Sequence, residues 1–354
     1  LETSPETRFL DMPGVLNLER GGRLEGVRVA YRTWGSLDAS CSNAVWVCHA
    51  LTGSADADEW WGPLFGTGRT LDPARDFIVC ANILGSCYGT TGPGSVDPGT
   101  GLRYGPDFPA ITVRDMVQVQ RELADALGIR KIRLVLGGSL GGMQALEWAI
   151  MDPDRVGAIA PIAVSGRHSA WCIGLSEAQR QAIAADPRWR GGRYEPDDPP
   201  AAGLAAARMV AMCTYRSQPS LERRFGRRLQ GDGNDLFAIE NYLRYQGSKL
   251  VHRFDANSYM VLTRAMDTHD VARGRGEFGA VLGSIGVRAL VVSVDSDVLY
   301  PPHEQMELAD GLPNAEFWTL HSDDGHDAFL IEMEALDERL VTFRAREQWK
   351  EDLA

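Results

Sequence analysis

Ser139 stands at the centre of "GGSLGG" (137 to 142), between the apolar run Leu134, Val135, Leu136 and an apolar, helix-like stretch from Met143 to Ile150. A serine hydroxyl is a weak nucleophile until a base takes its proton and a turn presents it. Gly137 and Gly141 complete the spacing G-x-S-x-G. Small residues there let a strand and a helix close on a sharp turn, and the serine then projects clear of the sheet edge. N–H groups in the first turn of the following helix face any negative charge that develops beside it. Two plainer readings compete. A phosphate cradle lacks the lysine of G-x-x-x-x-G-K-[ST], and Ser139 occupies the second glycine's place in G-x-G-x-x-G. A merely structural tight turn stays open until partners for the serine are found.

Those partners exist in the required chain order of serine, acid, histidine. "ALVVSVDSDVLYPP" carries Asp295 and Asp297 at the end of a strand-like run, and "SDDGHDAF" carries His326 beside a glycine in a late loop. Asp297 is preferred because it lies further past the strand and can turn toward the histidine. His252, His269, His303 and His321 are taken as structural or exposed. On this reading His326 is the general base, and Asp297 fixes its tautomer and stabilises the imidazolium. Leu140, next after the serine, supplies one backbone N–H of an oxyanion hole, and Leu51 in "CHALTGSAD" supplies the other. Backbone donors carry little side-chain signature, so an ordinary turn explains that segment equally well.

These residues need a scaffold, and the chain supplies a rhythm for one. The runs at 43 to 51, 77 to 84, 132 to 138 and 157 to 164 are continuously apolar, as strands buried on both faces of a parallel sheet are. An amphipathic helix at 113 to 129 feeds the serine-bearing strand, and strand-like runs resume at 288 and 315. Between about 166 and 285 the pattern turns helical, as in "LSEAQRQAIAADP". The expected fold is α/β, of the α/β-hydrolase type: a mostly parallel central sheet from 1–165 and 286–354, with a helical lid inserted at 166–285. "DEWW" (58 to 61) reads as packing or tunnel wall.

The bulk composition narrows the partners. In 354 residues, 44% are apolar, 24% are charged and the net charge is -12, which argues against nucleic acid and against an anionic membrane surface. The densest basic run, "RRFGRR" (223 to 228), reads as a solvated helix face. The longest apolar stretches, such as "VGAIAPIAV", are half a membrane span. "LETSPETRFLDMPG" has no signal-peptide pattern, and a start at Leu1 rather than methionine raises the expectation of trimming. Six cysteines without a C-x-x-C pair are expected to be reduced thiols in a cytoplasmic protein, with no metal site.

Across roughly 25 to 335, "AYRTWG", "CHALTG", "ANILGSCYGTTGP", "FPAITVRDMVQVQ", "GGSLGGMQALEWA", "EAQRQAI", "RFDANSYMVLTRAMDTHD" and "GHDAFLIE" resemble the homoserine O-acetyltransferase family. The resemblance implies acyl transfer from acetyl-CoA as co-substrate, with no bound cofactor, through an acyl-serine to the hydroxyl of L-homoserine. It also implies a homodimer associated through the lid helices, and relatives that use succinyl-CoA or act on serine. The family's triad falls on Ser139, Asp297 and His326, and its oxyanion donors on Leu51 and Leu140, where many members carry methionine at the second position. Its amino-acid pocket falls on Arg208, Tyr215 and Asp327. That set suits a zwitterion: a guanidinium holds a carboxylate bidentately and a carboxylate holds an ammonium. Residues seven apart share a helix face. The plain alternative makes Arg208 a surface charge and Tyr215 a core aromatic. A simple serine hydrolase would use the same triad, whereas a binding module on this fold would be expected to lack one of its members.

Overall fold

A computed structural model describes residues 3–230 and 235–351. Ten strands follow in chain order: β1 (Arg8–Asp11), β2 (Val15–Asn17), β3 (Arg23–Glu25), β4 (Arg28–Trp34), β5 (Ala44–Cys48), β6 (Phe77–Ala81), β7 (Ile132–Gly138), β8 (Ala158–Ile162), β9 (Arg288–Val294) and β10 (Ala315–Leu320). Eight form one sheet in the order β1-β4-β6-β5-β7-β8-β9-β10, and β2 pairs with β3 as a separate hairpin. From β6 through β10 every pairing is parallel, while β1–β4 and β4–β6 are antiparallel. The mostly parallel sheet expected from the continuous apolar runs is present, and its antiparallel edge was not anticipated.

Alternation along the strands explains why the middle of the sheet reads as unbroken hydrophobic sequence. Trp46 and Cys48 of β5 enter the core on one face, and Val45 and Val47 enter the core on the other. Val135 and Leu134, Leu136 of β7 divide in the same way. A strand buried on both faces has no polar side to show.

Eleven α-helices accompany the strands among the described residues. In chain order they are α1 (Ala57–Trp60), α2 (Val113–Ala126), α3 (Leu140–Met151), α4 (Ala170–Ala184), α5 (Ala201–Tyr215), α6 (Gln218–Arg224), α7 (Ala238–Val251), α8 (Ala256–Asp267), α9 (Phe278–Gly283), α10 (Pro302–Gly311) and α11 (Met333–Glu351). Helix α2 starts at a capping box, with Thr112 accepting from Asp115 N–H and Asp115 accepting from Thr112 N–H. The helices α4 to α9 occupy the interval between β8 and β9. One anchor of that interval is the buried Glu147 of α3, which pairs with Arg114 at 3.2 Å and with Arg275 at 2.7 Å. Removing both arginines would leave this buried charge unpaired, a loss of about 3–5 kcal/mol.

Candidate active site

Ser139 closes β7 and caps α3 with φ 57° and ψ -123°, a backbone that non-glycine residues rarely adopt. The glycines around it answer to specific neighbours. A Cβ at Gly137 or at Gly141 would collide with the Cys48 carbonyl oxygen, one at Gly138 with the Phe329 ring, and one at Gly142 with Val164. The strand end of β5 therefore lies directly against the serine turn, and only residues without side chains permit that approach.

His326 lies in a short 3-10 turn, Gly325–Leu330, and is buried. Its Nδ1–H donates to Asp297 Oδ2 at 2.7 Å. The other oxygen of Asp297 accepts N–H groups of Leu299 (2.8 Å) and Tyr300 (3.0 Å), which holds the carboxylate against the imidazole. Burial alone would lower the His326 pKa, but the Asp297 charge and hydrogen bond outweigh it and hold the pKa above the ordinary histidine value. The ring is walled by Tyr300, Tyr215 and Phe329, with centroids 5.4, 5.7 and 5.7 Å away. Phe329 touches both this ring and the Gly138 backbone, so histidine and serine turn share a wall. Among the described residues Ser139 Oγ makes no hydrogen bond to His326, a contact that often tightens only with substrate bound.

Asp295 takes a different partner: its Oδ2 accepts from His321 Nδ1 at 2.8 Å, and its Oδ1 accepts from Ser322 N–H at 3.1 Å. The strand-end preference for Asp297 thus has a structural reason. Strand β9 ends at Val294, a turn follows in which Asp297 N–H donates to Val294 O, and this turn aims Asp297 back at His326. Leu51 and Leu140 are both buried, and among the described residues neither of their N–H groups donates a hydrogen bond.

Arg208 and Tyr215 lie on α5, whose end packs on the histidine turn; a Cβ at Gly325 would lie 2.6 Å from Ser217 N. The Arg208 guanidinium sits 5.1 Å from the Tyr215 ring centroid and makes no ion pair among the described residues. Asp327 is pushed up by burial, against the opposing pull of Arg216 and Arg208. Its nearest cation is Arg216, at 3.5 Å, and Arg216 is shared with Asp324 at 3.0 Å. The sequence reading missed Arg216, although it adjoins Tyr215. "DEWW" resolves as packing: Asp58 pairs with Arg32 at 2.6 Å, and Trp61 is fully buried with its Nε1–H on Phe329 O. The cysteines are free thiols, no group of three or more potential ligands is placed to hold a metal, and no helix is long and apolar enough to cross a membrane, all among the described residues.

Residues 43–332 match the family model described as alpha/beta hydrolase fold. A homoserine O-acetyltransferase of Chloroherpeton thalassium is 59% identical over 96% of this chain and 90% of its own length. Another, from Nostoc punctiforme, is 60% identical over 95% of each. Among solved structures, homoserine O-acetyltransferase from Bacillus anthracis superposes with a TM-score of 0.89 at 26% identity, covering 96% of this chain and 97% of that one. Esterase E22 superposes with a TM-score of 0.88 at 28% identity, covering 96% and 99%.

Proposed function

Because this chain belongs to the homoserine O-acetyltransferase family on the alpha/beta hydrolase fold, we propose that it moves an acetyl group from acetyl-CoA through Ser139 to the hydroxyl of L-homoserine, a step of methionine biosynthesis. Ser139 Oγ attacks the thioester carbon as His326 Nε2 takes its proton. The oxyanion is received by the Leu51 and Leu140 N–H groups. Collapse expels the CoA sulfur, which takes the proton from His326, and leaves acetyl-Ser139. Homoserine then repeats the sequence from the other side: its hydroxyl gives a proton to His326, attacks the acetyl carbon, and Ser139 leaves with that proton. Asp297 orients His326 in both halves.

The observation that carries transfer to an amino acid is the Arg208 guanidinium, which makes no ion pair among the described residues and lies over the Tyr215 ring, itself 5.7 Å from the His326 ring. A cation of that kind is placed for a carboxylate. Asp327, raised by burial, gains from an incoming ammonium. Helices α4 to α9 form the lid, the insertion 166–285, which keeps water from the acyl-enzyme while the acceptor waits. Exposed Trp171, Ile173 and Tyr245 on lid helices supply apolar area for a homodimer, and the site of action is the cytoplasm, where the thiols stay reduced. Hydrolysis is the second reading, since the likeness to esterase E22 extends over nearly the whole chain.

A matrix of acetyl-CoA and succinyl-CoA against homoserine, serine and water, followed by CoA release, separates these readings. Acetyl-CoA with homoserine should dominate, and mass spectrometry should place the acetyl group on the Ser139 peptide. Arg208→Ala should still acylate Ser139 while transfer to homoserine falls by about 10² or more. Preference for serine, for succinyl-CoA or for water would each overturn the corresponding part of the reading.

A further inference from the structure

His49 is fully buried two residues before Leu51, and nothing in the acyl-transfer chemistry above uses it. Its two ring nitrogens have unlike partners. Ile83 N–H donates to Nε2 at 3.1 Å, so Nε2 carries no proton, and Nδ1–H donates to the Ala50 carbonyl at 2.8 Å. The tautomer is therefore fixed by a backbone donor on the neighbouring strand end. The Ala50 carbonyl belongs to the same peptide unit as the Leu51 N–H. A donor on the oxygen of an amide draws charge from its nitrogen and makes the N–H a stronger donor, the cooperative effect of hydrogen-bond chains, worth about 10–30% per bond.

Two further contacts fix the same segment in space. Gln144 Nε2 donates to His49 O at 3.2 Å and to Leu140 O at 3.1 Å, joining the two stretches that carry the free N–H groups. Gln144 is held in turn by Gln120 Nε2 at 2.6 Å, and Gln120 accepts from Trp148 Nε1 at 2.7 Å. On the far side Arg253, between α7 and α8, donates to Thr52 O at 2.7 Å. Gln144 and Arg253 direct these donors at backbone carbonyls, and Gln120 with Trp148 braces Gln144 from behind.

Resting on the acyl-serine reading, we propose that His49 is a positioning residue that polarises the Ala50–Leu51 peptide and so strengthens one of the two donors to the oxyanion. It stays neutral through the working range, because burial pushes its pKa down to about 4 against the opposing Ala50 hydrogen bond. The positive charge that would add a second donor and break the Ile83 contact does not arise near neutral pH.

Two variants divide the two bonds. His49→Gln puts an amide oxygen near the place of Nε2, keeps an acceptor for Ile83 and loses the imidazole donor to Ala50 O, leaving that oxygen only the Gly53 N–H at 2.9 Å. His49→Asn puts an amide nitrogen near the place of Nδ1, keeps that donor and loses the acceptor. The readout is the carbonyl stretch of the acetyl-enzyme, isolated by difference infrared with carbonyl-13C acetyl-CoA in the absence of acceptor. It is paired with kcat, the KM for homoserine and the melting temperature. His49→Gln should move the band to higher frequency and slow both half-reactions roughly tenfold, less than the ~10²–10³ lost with a whole oxyanion donor, with KM unchanged. His49→Asn should melt lower yet keep the wild-type band. A band that does not move in His49→Gln overturns the proposal, as does equal loss of rate in both variants with the band unmoved. Should neither variant fold, histidine 15N shifts of the wild-type protein still decide, because a proton on Nε2 instead of Nδ1 excludes the donor. Failure to label Ser139 at all is the separate result that overturns the acyl-serine reading itself.

Discussion

Two aspartate–histidine pairs leave the same end of the sheet, two residues apart on the acid side. Asp297–His326 spans 2.7 Å with side-chain exposures of 0% and 4%, and Asp295–His321 spans 2.8 Å with exposures of 44% and 82%. Their distances are nearly equal and their surroundings are not. A charge pair that water screens is worth about 1 kcal/mol at 4 Å, and about four times that at an effective dielectric of 20. The buried pair also has its free carboxylate oxygen held by two N–H groups and its ring enclosed by three aromatic side chains. What separates the buried pair from the exposed one is desolvation and the second layer of contacts, rather than contact distance.

Substituting the acids tests that contrast most severely. Asp297→Asn should lower kcat by about 10³–10⁴, the scale of loss when the acid behind a catalytic histidine is neutralised, whereas Asp295→Asn should leave kcat within about twofold. Equal losses in steady-state CoA release would mean that the exposed pair also supports the reaction. The pH dependence gives a finer test. His326 must be neutral to accept a proton, and its pKa is raised, so the acid limb of kcat/KM should lie above the ordinary histidine value of about 6.5. In Asp297→Asn the limb should move to lower pH, because burial then acts on the ring without the opposing charge. A limb that stays in place would assign the titration to another group. The smallest effect belongs to His321→Ala, which should change unfolding free energy by no more than ~0.5 kcal/mol in denaturant melts and leave activity intact.

That Asp297 rather than Asp295 faces His326 was legible in the sequence because it depends on where a strand ends, and "ALVVSV" marks the end of β9 clearly. Strands β5 to β9 were legible for a related reason, since burial on both faces leaves no polar residue to break the pattern. The edge was not. Strand β1 and the separate β2–β3 hairpin have three or four residues each, too few for a period of two to stand out. The seven-residue β4 buries four consecutive positions with a charged residue among them, so it shows neither alternation nor an unbroken apolar run. Ser139, Asp297 and His326 stand out by side-chain chemistry and chain order, whereas Arg208 and Tyr215 entered through the family resemblance. His49, Gln144 and Arg253 were missed because the partners that matter here are backbone groups, which have no residue type to search for. Gly137 and Gly141 were noticed as a turn, but the Cys48 carbonyl that excludes a side chain there belongs to a strand about ninety residues earlier.

The backbone of Ser139 sets a trade between durability and turnover. A residue held at φ 57° and ψ -123° carries about 1–3 kcal/mol of strain that the surrounding packing must offset. Glycine occupies that region without penalty. Ser139→Gly is therefore expected to relieve that strain and raise the melting temperature while, on the acyl-serine proposal, abolishing CoA release. A search for heat-resistant variants that ignores activity would be drawn to Ser139 along with Cys41, Ala163 and Arg190, the other non-glycine residues at positive φ among the described residues, and at Ser139 the proposed chemistry sets the limit that stability alone would not.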